Sequence, residues 1–328
     1  MTAEQIRQLA MPTSLVCADG TPHRALRRTA VRGLAPTVVR TLIPAITAHT
    51  HALASDIDTG YPVEFRSAFA RPLVTRVLAE VLSVPGEHRG DFTEWIDAMT
   101  VVSGDGVTRE ALHTHADGAA KLSDCLVRRI GDLSANPDGS SLSAMVTHSA
   151  PAADLVRISH ALVVAAHTPL ARFLTSVIAA LAGDTALEKS VRADIPERTP
   201  HLVDEVLRCH SPVESTYRTA IHGTVLSGVR VAPGTPVRIR LSAANRDDEV
   251  FGDADQIDLD RPITPRHLGF GFGAHSCVGA DLVRTVSIIA ISVIMHRFGA
   301  MEIDRPPTDA EGLEHGHELY VTFAAHGR

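Results

Sequence analysis

The chain has 328 residues, with 31 Lys and Arg against 38 Asp and Glu, and its net charge of −7 argues against a general nucleic-acid-binding protein. Hydrophobic residues make up 45% of the chain, but aromatic residues only 4%. The core must therefore be built from Ala, Val, Leu and Ile, which favours helices.

The cysteines and the apolar runs indicate the cellular compartment of the protein. Four cysteines, at positions 17, 125, 209 and 277, show no paired spacing, so neither a disulfide framework nor a zinc knuckle is expected. The start of the chain lacks the apolar core of a signal peptide. The longest apolar run, Val286–Met295, is about half of the ~20 residues that a membrane crossing needs. We therefore expect a cytoplasmic protein without a membrane anchor.

Helical periodicity dominates the first half of the chain. His23 and Arg27 lie four residues apart at the start of a first helix, hence on one face. Apolar residues then recur at three- and four-residue spacing in five further segments. These segments are Pro36–Ser55, Ala68–Leu82, Asp91–Val102, Thr108–Gly131 and Pro151–Gly183.

The second half adds a minor β component. A helix runs from near Pro196 to Arg208. Alternating segments punctuated by glycine and proline then predict short strands, at Ala220–Val225, Gly228–Val231 and Pro236–Leu241. The end of the chain, Glu302–Arg328, has the pattern of a hairpin. The fold class is therefore mainly α with a minor β component.

The most constrained stretch is Phe270–Gly279, which reads Phe-Gly-Phe-Gly-Ala-His-Ser-Cys-Val-Gly. Closely spaced glycines before a cysteine indicate a tight backbone that approaches something bulky. Cys277 is the one soft metal ligand there, and it lies at the start of a predicted helix, Ala280–Phe298. Free N–H groups and the positive end of a helix dipole favour a thiolate at this place.

This stretch resembles the haem-binding loop of the cytochrome P450 family at Phe270, Gly271, Gly273, His275, Cys277 and Gly279. The resemblance implies a P450-like fold, with residues 1–328 as one haem-binding domain. It implies that haem b, iron protoporphyrin IX, lies between the long Pro151–Gly183 helix and the cysteine-loop helix. Cys277 would be the iron ligand.

The resemblance also assigns roles to other residues. It implies that cationic side chains meet the haem propionates, that Phe270 packs near the cysteine side of the macrocycle, and that Gly271 and Gly279 shape the loop. The cationic residues are His23, Arg27, Arg218 and His275. It further implies a structural triad behind the loop, formed by Glu205, Arg208 and Arg261.

The centre of the long helix departs from the family. Relatives carry an acid and a threonine here that manage water and proton delivery. Aligning on Ala165, Ala166 and His167 places Thr168 at the acid and Pro169 at the threonine. Proline has no hydroxyl and no backbone donor. Ala165, Ala166 and Thr168 are therefore the candidate catalytic residues, without the usual acid–alcohol pair.

The same alignment predicts a substrate pocket lined by Val164, Pro169, Val213, Glu214 and Ser215. Glu214 would meet either a cationic substrate group or water. A mobile lid is expected at 103–106, and residues near 317–319 would return to the pocket. Relatives have a longer segment before the first helix, so this chain resembles an N-terminally shortened member. An open or differently roofed haem face would follow, covered by another subunit, as in a homodimer, or by another partner.

Three functions are consistent with these residues. The first is a haem-thiolate oxidoreductase that oxidises a small-molecule biosynthetic intermediate, with electrons from a ferredoxin and a ferredoxin reductase. The second is an atypical haem enzyme that performs peroxide-driven or non-oxidative chemistry, such as cyclisation, rearrangement or dehydration. The third is a non-catalytic helper of a glycosyltransferase. Such helpers have typically lost the ligand cysteine, which disfavours the third function.

Overall fold

The computed structural model describes residues 14–101, 108–146, 150–262, 266–305 and 318–326. The predicted lid at 103–106 and His317 lie outside these residues. The helices of the first half are α1 (Gly20–Gly33), α2 (Pro36–Ser55), α3 (Arg71–Val81), α4 (Arg89–Thr100), α5 (Arg109–Ala135), α6 (Ser141–Val146) and α7 (Ala152–Gly183). Those of the second half are α8 (Thr185–Ala193), α9 (Ile195–Cys209), α10 (Leu241–Asn245), α11 (Asp248–Phe251) and α12 (Ala280–Arg297).

The helical periodicity predicted these elements well. All five segments identified before residue 184 are confirmed as helices, and Pro36–Ser55 is reproduced to the residue. The predicted Ala68–Leu82 segment divides into a π-helical turn, Arg66–Ala70, followed by α3. Helix α5 begins where Thr108 caps it, because the Thr108 hydroxyl accepts the Ala111 N–H at 3.1 Å. The mainly α fold class is confirmed.

The strands form three small antiparallel sheets within the described residues. Strand β1 (Pro62–Glu64) pairs with β7 (Tyr320–Ala325), which also pairs with β6 (Phe298–Arg305). Strand β2 (Ser215–Thr219) pairs with β5 (Pro236–Arg240), and β3 (Thr224–Leu226) pairs with β4 (Val229–Val231). The terminal hairpin is thus confirmed, although it begins at Phe298 rather than Glu302. Leu319, expected near the pocket, is buried in the core beside β1, where its carbonyl accepts the Phe65 N–H at 2.9 Å.

One predicted strand was placed wrongly. The segment Ala220–Val225 was expected to be continuous, but β3 begins only at Thr224, and the pairing with β5 uses Ser215–Thr219 instead. Ala220 exchanges backbone hydrogen bonds outside the regular strands, with the Thr235 carbonyl and the Gly234 N–H. The register of β2 is set by its pairing with β5. The alternation of polar and apolar residues in the sequence does not specify this register by itself.

Helix α7 crosses the core of the protein. Its second half is buried along its length, at Phe173, Leu174, Val177, Ile178 and Leu181. By length and composition alone α7 could span a membrane, but 61% of its most apolar stretch is buried inside the protein. It packs against α3, α4, α9 and α12. This arrangement is typical of a core helix and places α7 beside the helix that follows the cysteine loop.

Candidate haem site

The cysteine loop has a backbone that requires glycine. Gly271 and Gly273 adopt φ angles of +67° and +79°, in the left-handed region where other residues are strained. The Cys277 N–H donates to the Phe270 carbonyl at 2.8 Å, which closes the loop on itself. Helix α12 begins at Ala280, so Cys277 lies just before its first turn. The Cys277 side chain is exposed and therefore accessible to a ligand.

The surroundings of Cys277 affect its thiol in two opposing ways. Although the side chain is accessible, protein atoms crowd the sulfur, and this desolvation raises the thiol pKa. The Gly279 N–H and the guanidinium groups of Arg27 and Arg284 act in the opposite sense and favour the thiolate. The free thiol therefore stays protonated, whereas donors are already in place for a thiolate bound to a metal.

Helix α1 brings two predicted cofactor residues to this loop. Arg27 donates to the Ser276 carbonyl at 2.7 Å and to the Ser276 hydroxyl at 3.0 Å. The His23 and His275 rings stack with their centroids 4.0 Å apart, and the His275 Nε2 lies 2.9 Å from an Asp19 carboxylate oxygen. His23, Arg27, His275 and Cys277 are thus gathered in one place, as the sequence predicted.

The expected charge of His23 needs correction. Burial lowers the pKa of His23, and the neighbouring His275 and Arg27 lower it further. His23 is therefore a neutral imidazole at neutral pH in this arrangement, not a second cation. It can still donate a hydrogen bond to a carboxylate, because a neutral imidazole keeps one N–H.

Arg218 is not joined to this cluster by the contacts that the described residues make. It is exposed on β2, where it donates to the Tyr217 carbonyl at 2.7 Å and to the Thr216 hydroxyl at 3.1 Å. Its role at a haem propionate therefore stays a prediction.

A second cluster, which contains Arg284 and Asp204, contacts Phe270 and was not predicted from the sequence. The Arg284 guanidinium lies 4.6 Å from the centroid of the Phe270 ring and donates to Asp204 at 2.8 Å. Burial opposes ionisation of Asp204, but hydrogen bonds from His267 and Arg284 hold its pKa below the usual range. A Cβ at Gly269 would lie 2.7 Å from the Leu207 carbonyl oxygen, so the loop can pack against α9 only with glycine there. The signal for this cluster in the sequence is a pair of adjacent acidic residues on α9, Asp204 and Glu205.

The predicted triad is assembled. Arg208 is 1% exposed and donates to both Glu205 carboxylate oxygens at 2.9 Å, while Arg261 donates to one of them at 3.0 Å. Arg208 also donates to three backbone carbonyls, those of Asn245, Ala254 and Gln256. Burial alone would raise the pKa of Glu205, but the hydrogen bonds from Arg208, the Asp258 N–H and Arg261 lower it.

Asn245 connects the triad to the cysteine loop. Its carbonyl accepts from Arg208, and its side-chain oxygen accepts the Leu268 N–H at 2.6 Å, two residues before Phe270. Its side-chain amide donates to the Ser211 hydroxyl at 2.9 Å. The triad therefore fixes the chain that enters the loop, which is consistent with a structural role.

The centre of α7 presents the candidate catalytic residues on an accessible face. Ala165 is exposed, and Val164, Ala166, Thr168 and Pro169 are partly buried. His167 faces away from them: it is 2% exposed, and its Nε2 lies 3.1 Å from the Thr75 hydroxyl on α3. The histidine that the alignment placed beside Thr168 thus belongs to the core.

The remaining pocket residues lie after α9. Val213 is exposed, whereas Glu214 and Ser215 are partly buried. Glu214 lines a cavity of about 20 Å³ with Arg172 and Ser176 of α7. A cavity of this size holds about one water molecule, and an arginine in its wall disfavours a cationic ligand. Of the two alternatives for Glu214, this geometry favours water.

Burial of His167 predicts a pH effect on stability. Desolvation lowers the pKa of His167 from 6.5 to about 4, with Arg71 contributing, so the unfolded chain binds this proton more readily than the folded one. Stability is therefore lost as the pH falls from 6.5 towards 4. Between about pH 7.5 and about pH 5 we expect His167 to contribute a loss of about 2 kcal/mol.

Urea unfolding of the wild type and of His167→Gln at both pH values measures this contribution. Glutamine can keep the hydrogen bond to Thr75 but does not titrate, so the variant should lose less stability on acidification. His51→Gln is the matched control, since His51 is exposed. Equal losses in all three proteins would contradict the prediction.

Comparisons with known proteins agree with this geometry. The family model for cytochrome P450 matches residues 184–314. The mycinamicin IV hydroxylase/epoxidase of Micromonospora griseorubida is 32% identical over 310 residues, which are 92% of this chain and 76% of that enzyme. The erythromycin C-12 hydroxylase of Saccharopolyspora erythraea is 30% identical over 92% of this chain and 77% of its own.

Solved structures agree as well. The structure of P450BioI in complex with an acyl carrier protein ligated to hexadec-9Z-enoic acid has a TM-score of 0.85 at 26% identity, over 96% of this chain and 83% of that one. The fold and the loop define the class of mainly helical proteins that bind haem. The chain belongs to the cytochrome P450 family. Like its relatives, it is an oxidoreductase of the monooxygenase class that acts on a small-molecule biosynthetic intermediate.

The residues present fit a haem. A haem brings four nitrogen ligands of its own and needs one axial ligand from a protein such as this. The described residues contain no group of three or more His, Cys, Asp and Glu side chains that could hold a metal by themselves. Cys277, in contrast, is a single accessible sulfur on a loop whose two glycines leave room for close approach. This donor set suits a metal that arrives in a macrocycle.

Proposed function

We propose that this chain is a cytoplasmic haem-thiolate monooxygenase in which residues 1–328 form one domain and Cys277 ligates the iron of haem b. The observation that carries the proposal is the accessible Cys277 thiol, held between the Gly279 N–H, Arg27 and Arg284 at the start of α12. Relatives at 30–32% identity, which are hydroxylases of mycinamicin IV and of erythromycin, support a secondary metabolite of that kind as the substrate.

The roles of the other site residues follow from their chemistry. When bound, the haem supplies the oxidising chemistry, and the protein decides what reaches it. Arg27 would exchange its neutral partner, the Ser276 carbonyl, for a propionate carboxylate, and His275 would exchange the Asp19 carboxylate for another one. His23 would donate a hydrogen bond to a propionate from its imidazole, and Arg218 would reach the same groups from β2. Phe270 would lie against the cysteine side of the macrocycle.

On the pocket side of the haem site, proton delivery would proceed without the usual acid–alcohol pair of α7. Pro169 has no hydroxyl, and His167 is buried, neutral and bonded to Thr75, so neither can deliver a proton to the open face of α7. Thr168 and the backbone of Ala165 and Ala166 are the polar groups left on this stretch. Protons would therefore come from the substrate or from ordered water, which Val164, Val213, Glu214 and Ser215 would help to confine.

The same observation favours a second candidate function. General acid–base assistance typically contributes about 10²–10⁴ in rate. An enzyme without it could use peroxide or perform a cyclisation, rearrangement or dehydration that needs less proton delivery. The non-catalytic helper function is disfavoured, because Cys277 and the residues around it are intact.

We expect electrons to come from a separate ferredoxin and ferredoxin reductase, since bacterial relatives of this type use redox partners. A homodimer that covers the open face of the site is consistent with the exposure of Val213, which is 43% exposed.

One set of reactions tests the proposal. The purified holoprotein is incubated with mycinamicin IV under three conditions: NADPH with a ferredoxin and its reductase, hydrogen peroxide alone, and no oxidant. Oxygenated product in the first condition alone supports the monooxygenase. Product with peroxide alone, or an isomer without oxidant, supports the second function. A ferrous–CO spectrum without the band of thiolate ligation would refute both.

A further inference from the structure

Helix α7 contains a proline halfway along its length. The helix runs without interruption from Ala152 to Gly183, with Pro169 inside it. In an α-helix each carbonyl accepts the N–H four residues later, and proline has none. Residue 169 therefore has no N–H that could donate to the Ala165 carbonyl. Because Ala165 is exposed, a group from outside the helix can supply one.

Thr168 provides a second open polar group on the same face. Other hydroxyls of α7 donate to carbonyls of their own helix, as Ser159 does to Leu155 at 2.8 Å and Thr175 does to Ala171 at 2.9 Å. Among the described residues, the Thr168 hydroxyl has no such bond to Val164 or Ala165. Ala165 and Thr168 are three residues apart and therefore neighbours on one face of the helix.

These two groups define the chemistry of what they can bind. The Ala165 carbonyl only accepts a hydrogen bond, whereas the Thr168 hydroxyl can donate one. A neutral hydroxyl group both donates and accepts, so it can satisfy both at once. A cation fits less well, because residues 164–169 contain no carboxylate, and the adjacent Val164, Ala166 and Pro169 are apolar.

We propose that the Ala165 carbonyl and the Thr168 hydroxyl bind one neutral hydroxyl group of the substrate. The substrate hydroxyl donates to Ala165 and accepts from Thr168. Pro169 is the positioning residue, because it leaves the Ala165 carbonyl free. The substrate class is thus an apolar molecule that carries a neutral hydroxyl group. This inference rests on the proposed function, and an ordered water is the other possible source of the same chemistry.

The test compares two probes that differ in one donor. Cyclododecanol can donate and accept, whereas cyclododecyl methyl ether can only accept. Spectral titration of the holoprotein measures both dissociation constants without turnover. We expect the wild type to bind the alcohol about 10-fold more tightly than the ether, since the ether leaves a polar group unpaired. Pro169→Ala restores an N–H that can pair with the Ala165 carbonyl and should bring this ratio close to one. Thr168→Val removes a donor that both probes can use, so it should weaken both by a similar factor and keep the ratio.

Thr175→Val is the matched control, because Thr175 lies in the same helix but donates internally, and it should keep the ratio. A wild-type ratio near one, or failure to bind either probe, would overturn the inference. So would a ratio that survives Pro169→Ala, or a Thr168→Val variant that binds both probes as tightly as the wild type. If a crystal structure of the alcohol complex shows water on Ala165 and Thr168 instead, the substrate site is also refuted. A normal ferrous–CO band in every variant separates these outcomes from failure of the proposed function.

Discussion

Replacing Cys277 with alanine should abolish the thiolate–CO band and leave the purified protein nearly free of haem. Cys277 is the one cysteine of the Phe270–Gly279 loop, so no other residue of the loop can supply a thiolate. Loss of an outer-shell partner of a metal typically costs about 10–100-fold in affinity, and loss of the ligand itself should cost more. Haem content per chain and the ferrous–CO spectrum measure the effect.

Two controls make this result specific. Cys17→Ala removes a partly exposed cysteine outside the loop and should leave both the haem content and the band intact. Far-UV circular dichroism should show that Cys277→Ala remains folded, because the loop is closed by backbone bonds such as that from the Cys277 N–H to Phe270. Unchanged pigment and spectrum in Cys277→Ala would refute the assignment of the ligand.

Replacing Glu205 with glutamine should destabilise the protein by about 3–5 kcal/mol, as expected when one partner of a buried ion pair is removed. Glutamine keeps the shape of the side chain but not its charge. The buried Arg208 guanidinium would then have no counter-charge at its Nε and Nη2 atoms, and the Nε of Arg261 would lose its charged acceptor. The shift in the urea unfolding midpoint measures the loss.

The matched control is Asp117→Asn, which breaks an ion pair with Lys121 of similar length, 2.8 Å, at an exposed place on α5. Solvent screens such a pair, so its loss should leave the midpoint unchanged within error. If both variants behave alike, the triad does not hold the structure together. A second consequence follows from Asn245: weaker haem retention should accompany the loss of stability, because the same network fixes Leu268 at the entry to the cysteine loop.

Thr168 and His167 are adjacent in α7, but one lies on its accessible face and the other in the core. Thr168 remains on the accessible face of α7, whereas the adjacent His167 is buried against Thr75 of α3. Successive residues of a helix point about 100° apart, so neighbours in sequence need not share a site. His167 therefore lies apart from the candidate catalytic residues on the accessible face of α7.

Periodicity predicted most elements, and the resemblance to the family predicted the core of the site. Apolar residues at helical spacing placed five helices before residue 184 correctly, because each of these helices buries one face. The ordered loop from Phe270 to Gly279 identified Cys277, because only particular residue types permit its backbone and its ligand chemistry. The triad was predicted from Glu205, Arg208 and Arg261, and the three side chains do meet.

Sequence by itself therefore determined the family, the helical framework and the residue that presents the sulfur, since these depend on local patterns of residue types. Only the tertiary structure decided the neutral state of His23, the support of Phe270 by Arg284 and Asp204, and the register of β2 against β5. Charge state, contact and strand register all depend on which distant segments pack together. No local pattern in the chain records that packing.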